Sequence, residues 1–237
     1  MVHDLATLLH IYPLHISLGS FSHEGRGGGL VFIVKKTFAE SYNITRAEQI
    51  TTQHITPGRL ATIRFPATEV FSNLEVMNIH FEVELRAGEA GHYAARSALA
   101  HRLLGAISHR RAAHTVLAGD WNTTASDDPR FNPVEGTFCE GRGTVSRILE
   151  SGLEGFTELH QPHYTRRGMS GGIIVNLSRI DRIYSNLMTC ELLDRKPMVA
   201  TVGLVTNTFG PSDHVPISAK FFAPPSGPPL HPSIAPW

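Results

Sequence analysis

Three consecutive patterns limit the folds open to this chain. An alternating apolar run at 74–81 is followed by a helical pattern at 91–108 and a second apolar run at 115–118. Leu99, Leu103, Leu104 and Ile107 form the apolar stripe of the helix, with Arg96, Arg102 and Arg110 on its solvated side. Strand, helix and strand in this order make a β-α-β unit, the signature of a sheet with covered faces. The second strand runs into Gly119-Asp120-Trp121-Asn122. In α/β sheets, ligands gather at the carboxyl ends of strands. There Asp120 can take a proton or face a metal, and Asn122 can donate to a phosphate oxygen. Two apart on extended backbone, the two side chains are expected on one side. An Asx-rich turn reads the same way, so this stretch needs company before it means chemistry.

The rest of the chain supplies further strands. Leu30-Val31-Phe32-Ile33-Val34 reads as a buried strand fed by the glycine run at 25–29. That run lacks a Gly-Lys-Ser/Thr ending and precedes a strand, so it is a loop rather than a phosphate cradle. Segments 60–65 and 74–81 are expected to pair as a hairpin, with Asn78 and His80 on one face. Helices are expected at 2–9 and 145–153, and strands at 178–184, 199–205 and 215–222. Within 178–184, Ile180 and Ile183 do not share a face, so that strand is bent or buried on both sides. Asp181 lies inside it, where aspartate is disfavoured without a polar partner. Thr165-Arg166-Arg167, beside His163 and Tyr164, can be a nucleic-acid contact or an ordinary polar loop. From 224 to 237 the chain is a Pro-rich tail, leaving 1–223 as one domain.

Composition narrows the function. The 21 basic and 21 acidic residues balance, so any contact with a polyanion must come from local patches. The two cysteines, Cys139 and Cys190, form neither a disulfide framework nor a zinc motif, which points to an intracellular protein of the nucleus or cytoplasm. No apolar run reaches the ~20 residues that span a bilayer. The 14 histidines contain no H-x-x-x-H pair. Nothing indicates an obligate protein partner.

Four short motifs then fall at strand ends in order: Asn78-Ile79-His80, Gly119-Asp120-Trp121-Asn122, Arg179-Ile180-Asp181-Arg182-Ile183 and Ser212-Asp213-His214. Each is weak alone. The ordered set resembles the endonuclease/exonuclease/phosphatase superfamily, the deoxyribonuclease-like group, over roughly residues 25 to 222. The Pro-rich tail resembles the segment after the endonuclease domain of non-LTR retrotransposons. The resemblance implies an α/β four-layered sandwich of two packed mixed β-sheets flanked by helices. It implies Mg²⁺ (or Mn²⁺) as cofactor and DNA as partner. His214 would stand beside the scissile phosphate, Asp181 would orient and charge it, and Asp213 would face the metal. Asp120 and Asn122 would position water and phosphate. His80, Asn78, Ser212 and Arg179 would hold the phosphate.

The chain departs from that pattern at its start. The family's opening strands carry an Asn and then a Gln-Glu, and neither precedes Met1-Val2-His3. The expectation is a domain lacking its first two strands, about 35 residues, and with them the principal metal carboxylate. Three readings follow: a Mg²⁺-dependent DNA endonuclease of retroelement origin, impaired by that loss; a catalytically dead relic or nucleic-acid-binding module; or a phosphoesterase of inositol- or sphingolipid-type headgroups.

Overall fold

The computed structural model of the chain describes residues 15–21, 29–82, 90–108, 114–124, 129–139, 144–159, 163–186, 201–202 and 213–219. The expected helix at 2–9, Ser212, Arg110 and the Pro-rich tail lie outside the described residues.

The centre is a six-stranded sheet. Its strands are β3 (Thr51–Thr56), β4 (Leu60–Phe65), β5 (Leu74–His80), β6 (His114–Asp120), β9 (Thr157–Glu158) and β12 (Asp181–Ser185). They lie in the order β3-β4-β5-β6-β12-β9. β4 and β5 form the expected antiparallel hairpin. β5 and β6 are parallel, joined through α2 (Ala90–Ser108), as the β-α-β pattern requires. Alternation sorts the strand residues onto two faces. Met77, Ile79 and Leu117 meet Leu99, Ala100 and Leu103 of α2, and Val145 and Leu149 of α3 (Thr144–Gly152). Fully burying a leucine such as Leu103 contributes about 2 kcal/mol, so the helix docks by its stripe.

The opposite face carries strands of a second layer. β1 (His15–Phe21) pairs antiparallel with β2 (Gly29–Lys35), after which comes the short helix α1 (Lys36–Ser41). Ile16, Leu30, Phe32 and Val34 pack with Ala61, Ile63 and Phe65. Ile217, on β14 (Ile217–Ser218), which pairs with β13 (Thr201–Val202), packs against Val116 and Ile183. Helices, sheet and second-layer strands thus stack as an α/β sandwich. No helix among the described residues is long and apolar enough to cross a membrane.

The strand expected at 178–184 is in fact two strands in two sheets. Residues up to Ser178 belong to β11 (Ile173–Ser178), in a four-stranded sheet with β7 (Arg130–Asn132), β8 (Thr137–Cys139) and β10 (Arg166–Ser170). The chain then changes sheets at Arg179 and Ile180 and resumes as β12. Buried Thr165 holds the junction: its Oγ1 accepts the backbone N–H groups of Ile180 at 3.1 Å and Asp181 at 3.0 Å. Of the two readings of Ile180 and Ile183, a bend or burial on both sides, this crossing is the bend.

Candidate active site

Register brings the expected residues together. In the parallel pair, His80 lies opposite Asp120, and in the antiparallel pair, Asp120 lies opposite Asp181. Adjacent strands are ~4.8 Å apart, so three functional side chains share one rung across ~10 Å. Asp120 and Asp181 share the alternation of Val116 and Ile183, the face turned to the second layer.

His214 arrives from beyond the sheet. It forms an isolated antiparallel bridge with Arg166, and Val215 N–H donates to the Thr165 carbonyl at 2.7 Å. The same Thr165 therefore fixes the backbones of both Asp181 and His214. His214 Nδ1 lies 2.9 Å from Asp181 Oδ2. That hydrogen bond raises the His214 pKa above its usual value, against the opposing effect of burial. Facing a carboxylate oxygen, Nδ1 carries a proton, which leaves Nε2 for a ligand.

Asp120 is partly buried beside Asp181, and that burial first, then the neighbouring charge, push its pKa up to about 6. Its Oδ1 accepts the Asn122 N–H at 2.9 Å and its Oδ2 accepts the Asn122 amide at 2.8 Å. Asn122 does not sit on extended backbone as the two-residue spacing suggests. Its φ is +46°, a left-handed turn that asparagine tolerates. Trp121 meanwhile drops into the helix-side core against Phe81 and Tyr184. The Asn122 amide also donates to Phe81 O at 2.8 Å. Both its protons are thus used inside the protein, on Phe81 and Asp120.

His80 faces Arg59, whose Nη1 lies 3.3 and 3.4 Å from the two ring nitrogens. Burial, followed by the Arg59 charge, lowers the His80 pKa and keeps the ring neutral near pH 7. Asn78, two residues deeper, donates to the Val31 carbonyl of β2 at 3.3 Å and ties the two layers together. Asp213 is largely exposed, and its Oδ2 accepts Arg166 Nε at 3.1 Å. Burial acts upward on its pKa, but Arg166 and His214 outweigh it and leave the carboxyl below its ordinary range. Arg179, expected at the phosphate, lies inside the fold. It is 5% exposed and ion-paired with Glu158, which also holds Arg182, so its charge is spent within the fold. Isolated in the sequence, an Arg at a strand end looks like a phosphate ligand; the pairing with β9 could not be read there.

Ligand atoms of Asp120, Asp181 and His214 lie within 4.8 Å of one another, a group that could hold a metal ion. Two carboxylates on one rung are what a hard divalent cation takes. The upward pull of Asp181 on Asp120 shows the excess negative charge that such a cation would relieve. The expected metal residue, Asp213, stands at the edge of this group, with its Oδ1 4.0 Å from His214 Nε2.

The ordered motifs, now one constellation, agree with a family profile matching residues 2–214. The chain belongs to the Endonuclease/Exonuclease/phosphatase family. As a member of this family it carries a fold used for phosphodiester and phosphomonoester hydrolysis. Among solved structures it is similar to an AP endonuclease from Archaeoglobus fulgidus, with TM-score 0.61 and 18% identity, covering 91% of this chain and 82% of that one. It is also similar to the 3′ phosphatase NExo from Neisseria bound to product DNA hairpin, with TM-score 0.58 and 13% identity over 93% and 94% of the two chains. The endonuclease domain of TRAS1, a telomere-specific non-LTR retrotransposon, matches with TM-score 0.50 and 12% identity over 84% and 75%. At these identities the likenesses carry the fold alone. No curated protein matches the chain by sequence.

Sequence reasoning missed Thr165 as a structural pin and missed Arg59 altogether. The first lay inside a flagged polar segment. The second lies in a turn, and only the β4–β5 pairing brings it beside His80.

The His214–Asp181 pair gives a testable pH dependence. The folded protein binds the His214 proton more tightly than the unfolded chain, whose histidine titrates near ~6.5. The pair's contribution to stability is therefore complete below that pH and is lost as pH rises through the higher folded value. In Asp181→Asn, the imidazole resonance of His214 should titrate at lower pH than in the parent. The slope of stability against pH across that window should flatten. An unmoved His214 titration would show that Asp181 is not its partner.

Proposed function

We propose that the chain is a divalent-metal-dependent phosphodiesterase acting on DNA, an endonuclease of retroelement type. The observation that carries this reading is the Asp120–Asp181 rung with His214 hydrogen-bonded to it. Mg²⁺ or Mn²⁺, held by Asp120 and Asp181 with Asp213 beside them, would supply positive charge to the phosphate oxygens. The remaining work falls to the chain's own groups. His214, its pKa raised by Asp181, donates its Nε2 proton to the leaving oxygen as the P–O bond breaks. Asp120 takes a proton from the attacking water as the water oxygen bonds to phosphorus, and Asn122 holds the carboxylate for that transfer. His80 offers a neutral ring nitrogen on the far side of Asp120. Arg59 and Arg166 border the row at its two ends and favour an anionic substrate longer than one phosphate.

The test is nicking of supercoiled plasmid with Mg²⁺, Mn²⁺ or EDTA, beside phosphate or headgroup release from phosphoinositides. The reading expects metal-dependent nicking, abolished by EDTA and by Asp120→Asn, with headgroup release at background. Headgroup release without nicking would replace DNA by a small phosphoester.

A further inference from the structure

The helical pattern sets Arg96 on the solvated side of α2, but the side chain is 4% exposed. Its guanidinium forks between two backbone carbonyls. Nη1 donates to Glu82 O and Nη2 to Asn122 O, the latter at 3.2 Å. Glu82 lies two residues beyond His80, and Asn122 lies two residues beyond Asp120. The fork thus grips the exits of the two neighbouring strands at matched positions. Between them, Phe81 N–H donates to Asp120 O at 2.9 Å and the Asn122 amide returns to Phe81 O.

Asn122 sits at φ +46°, and both its N–H and its amide face the Asp120 carboxylate. Asparagine tolerates this conformation, so contacts around the turn decide how firmly it is held. The Asn122 carbonyl is one of the two groups that Arg96 holds. Desolvating a guanidinium is costly, and an apolar side chain would dock α2 on the sheet equally well. A planar fork that bridges two acceptors has no such substitute, and lysine, a point charge, cannot reproduce it.

We propose that Arg96 is a positioning residue for the active site. By clamping the exits of β5 and β6 it fixes the Asn122 turn, and through it the aim of the Asp120 carboxylate. The proposal rests on the assignment of Asp120 to the chemistry given above.

Arg96→Ala and Arg96→Lys in the full chain test it. The expected result is a fall in kcat of about 100-fold in either variant, as for a small misplacement of a reacting group. KM should stay within about threefold, because the substrate-facing side chains are intact. Added guanidinium ion should restore part of the activity to Arg96→Ala and none to Arg96→Lys, whose ammonium fills the space. In hydrogen exchange, the Phe81 and Asn122 amides should lose protection while Leu117, mid-strand, keeps it. Unchanged kcat would overturn the proposal. So would a loss that guanidinium does not relieve and that tracks loss of protection at Leu117, because Arg96 would then be a general stabiliser. If the parent chain cleaves nothing, the assignment of function falls separately, and the exchange measurement still decides whether Arg96 sets the Asn122 turn.

Discussion

On the proposed function, His214→Ala should lower metal-dependent DNA cleavage by about three to four orders of magnitude, with little change in DNA binding. The size follows from what the ring supplies. A positioned proton donor contributes ~10²–10⁴-fold, and a charge aimed at the developing phosphate adds to it. The pairing with Asp181 at 2.9 Å favours both contributions, because it raises the pKa of the imidazole. Asp181→Ala should therefore cost nearly as much as His214→Ala, and the double variant little more than either. Groups that act as one unit are not additive. Single-turnover cleavage of a labelled duplex, with binding followed separately by anisotropy, measures all three. A fall of less than about tenfold in His214→Ala would remove His214 from the chemistry and leave Asp120 and the metal to carry the reaction.

Much of this site was legible before the fold because its residues end strands, and strand ends announce themselves. Asp120 follows an apolar run, His80 closes another, and Asp181 is an acid where a strand should not carry one. What the chain alone could not show was register. Nothing in Asn78-Ile79-His80 says that His80, and not Asn78, lies opposite Asp120. The strands that were missed share a physical reason. β3 is Thr51-Thr52-Gln53-His54-Ile55-Thr56, an edge strand with its first four residues exposed, so no hydrophobic alternation marks it. β1 carries Ser17, Gly19 and Ser20 within seven residues, and only the pairing with β2 makes it a strand. Three arginines show what sequence leaves out. Arg179 looked like a ligand and is a buried ion-pair partner. Arg96 looked solvated and is buried. Arg59 drew no notice and stands beside His80. Charge in a sequence gives no distance to its partner, and for these three the partner lies in another element.

Gly119 carries the largest expected effect on folding. Its φ is +145°, and a Cβ built there would lie 2.0 Å from the Ile79 carbonyl oxygen and 2.9 Å from the Ile79 carbonyl carbon and nitrogen. The obstacle is backbone, so no side chain can swing aside. β5 and β6 must part at the Ile79–Gly119 pair, one residue before the His80–Asp120 rung. Gly119→Ala should destabilise the protein by about 3–5 kcal/mol, at the top of the range for single substitutions. That is a large share of the 5–15 kcal/mol that holds a typical domain together. Gly136 supplies the control. Its φ is +65°, yet a Cβ there meets nothing within 4 Å. Gly136→Ala should cost only the left-handed strain of an alanine, about 1–2 kcal/mol. Urea unfolding of the two variants separates steric contact from backbone strain. Equal losses would mean that strand separation is easy at Gly119. The spacing of His80 and Asp120 would then be soft, and the rung could not hold its groups in place for catalysis. A larger loss at Gly119 ties the active-site geometry to the close approach of two backbones that only glycine permits.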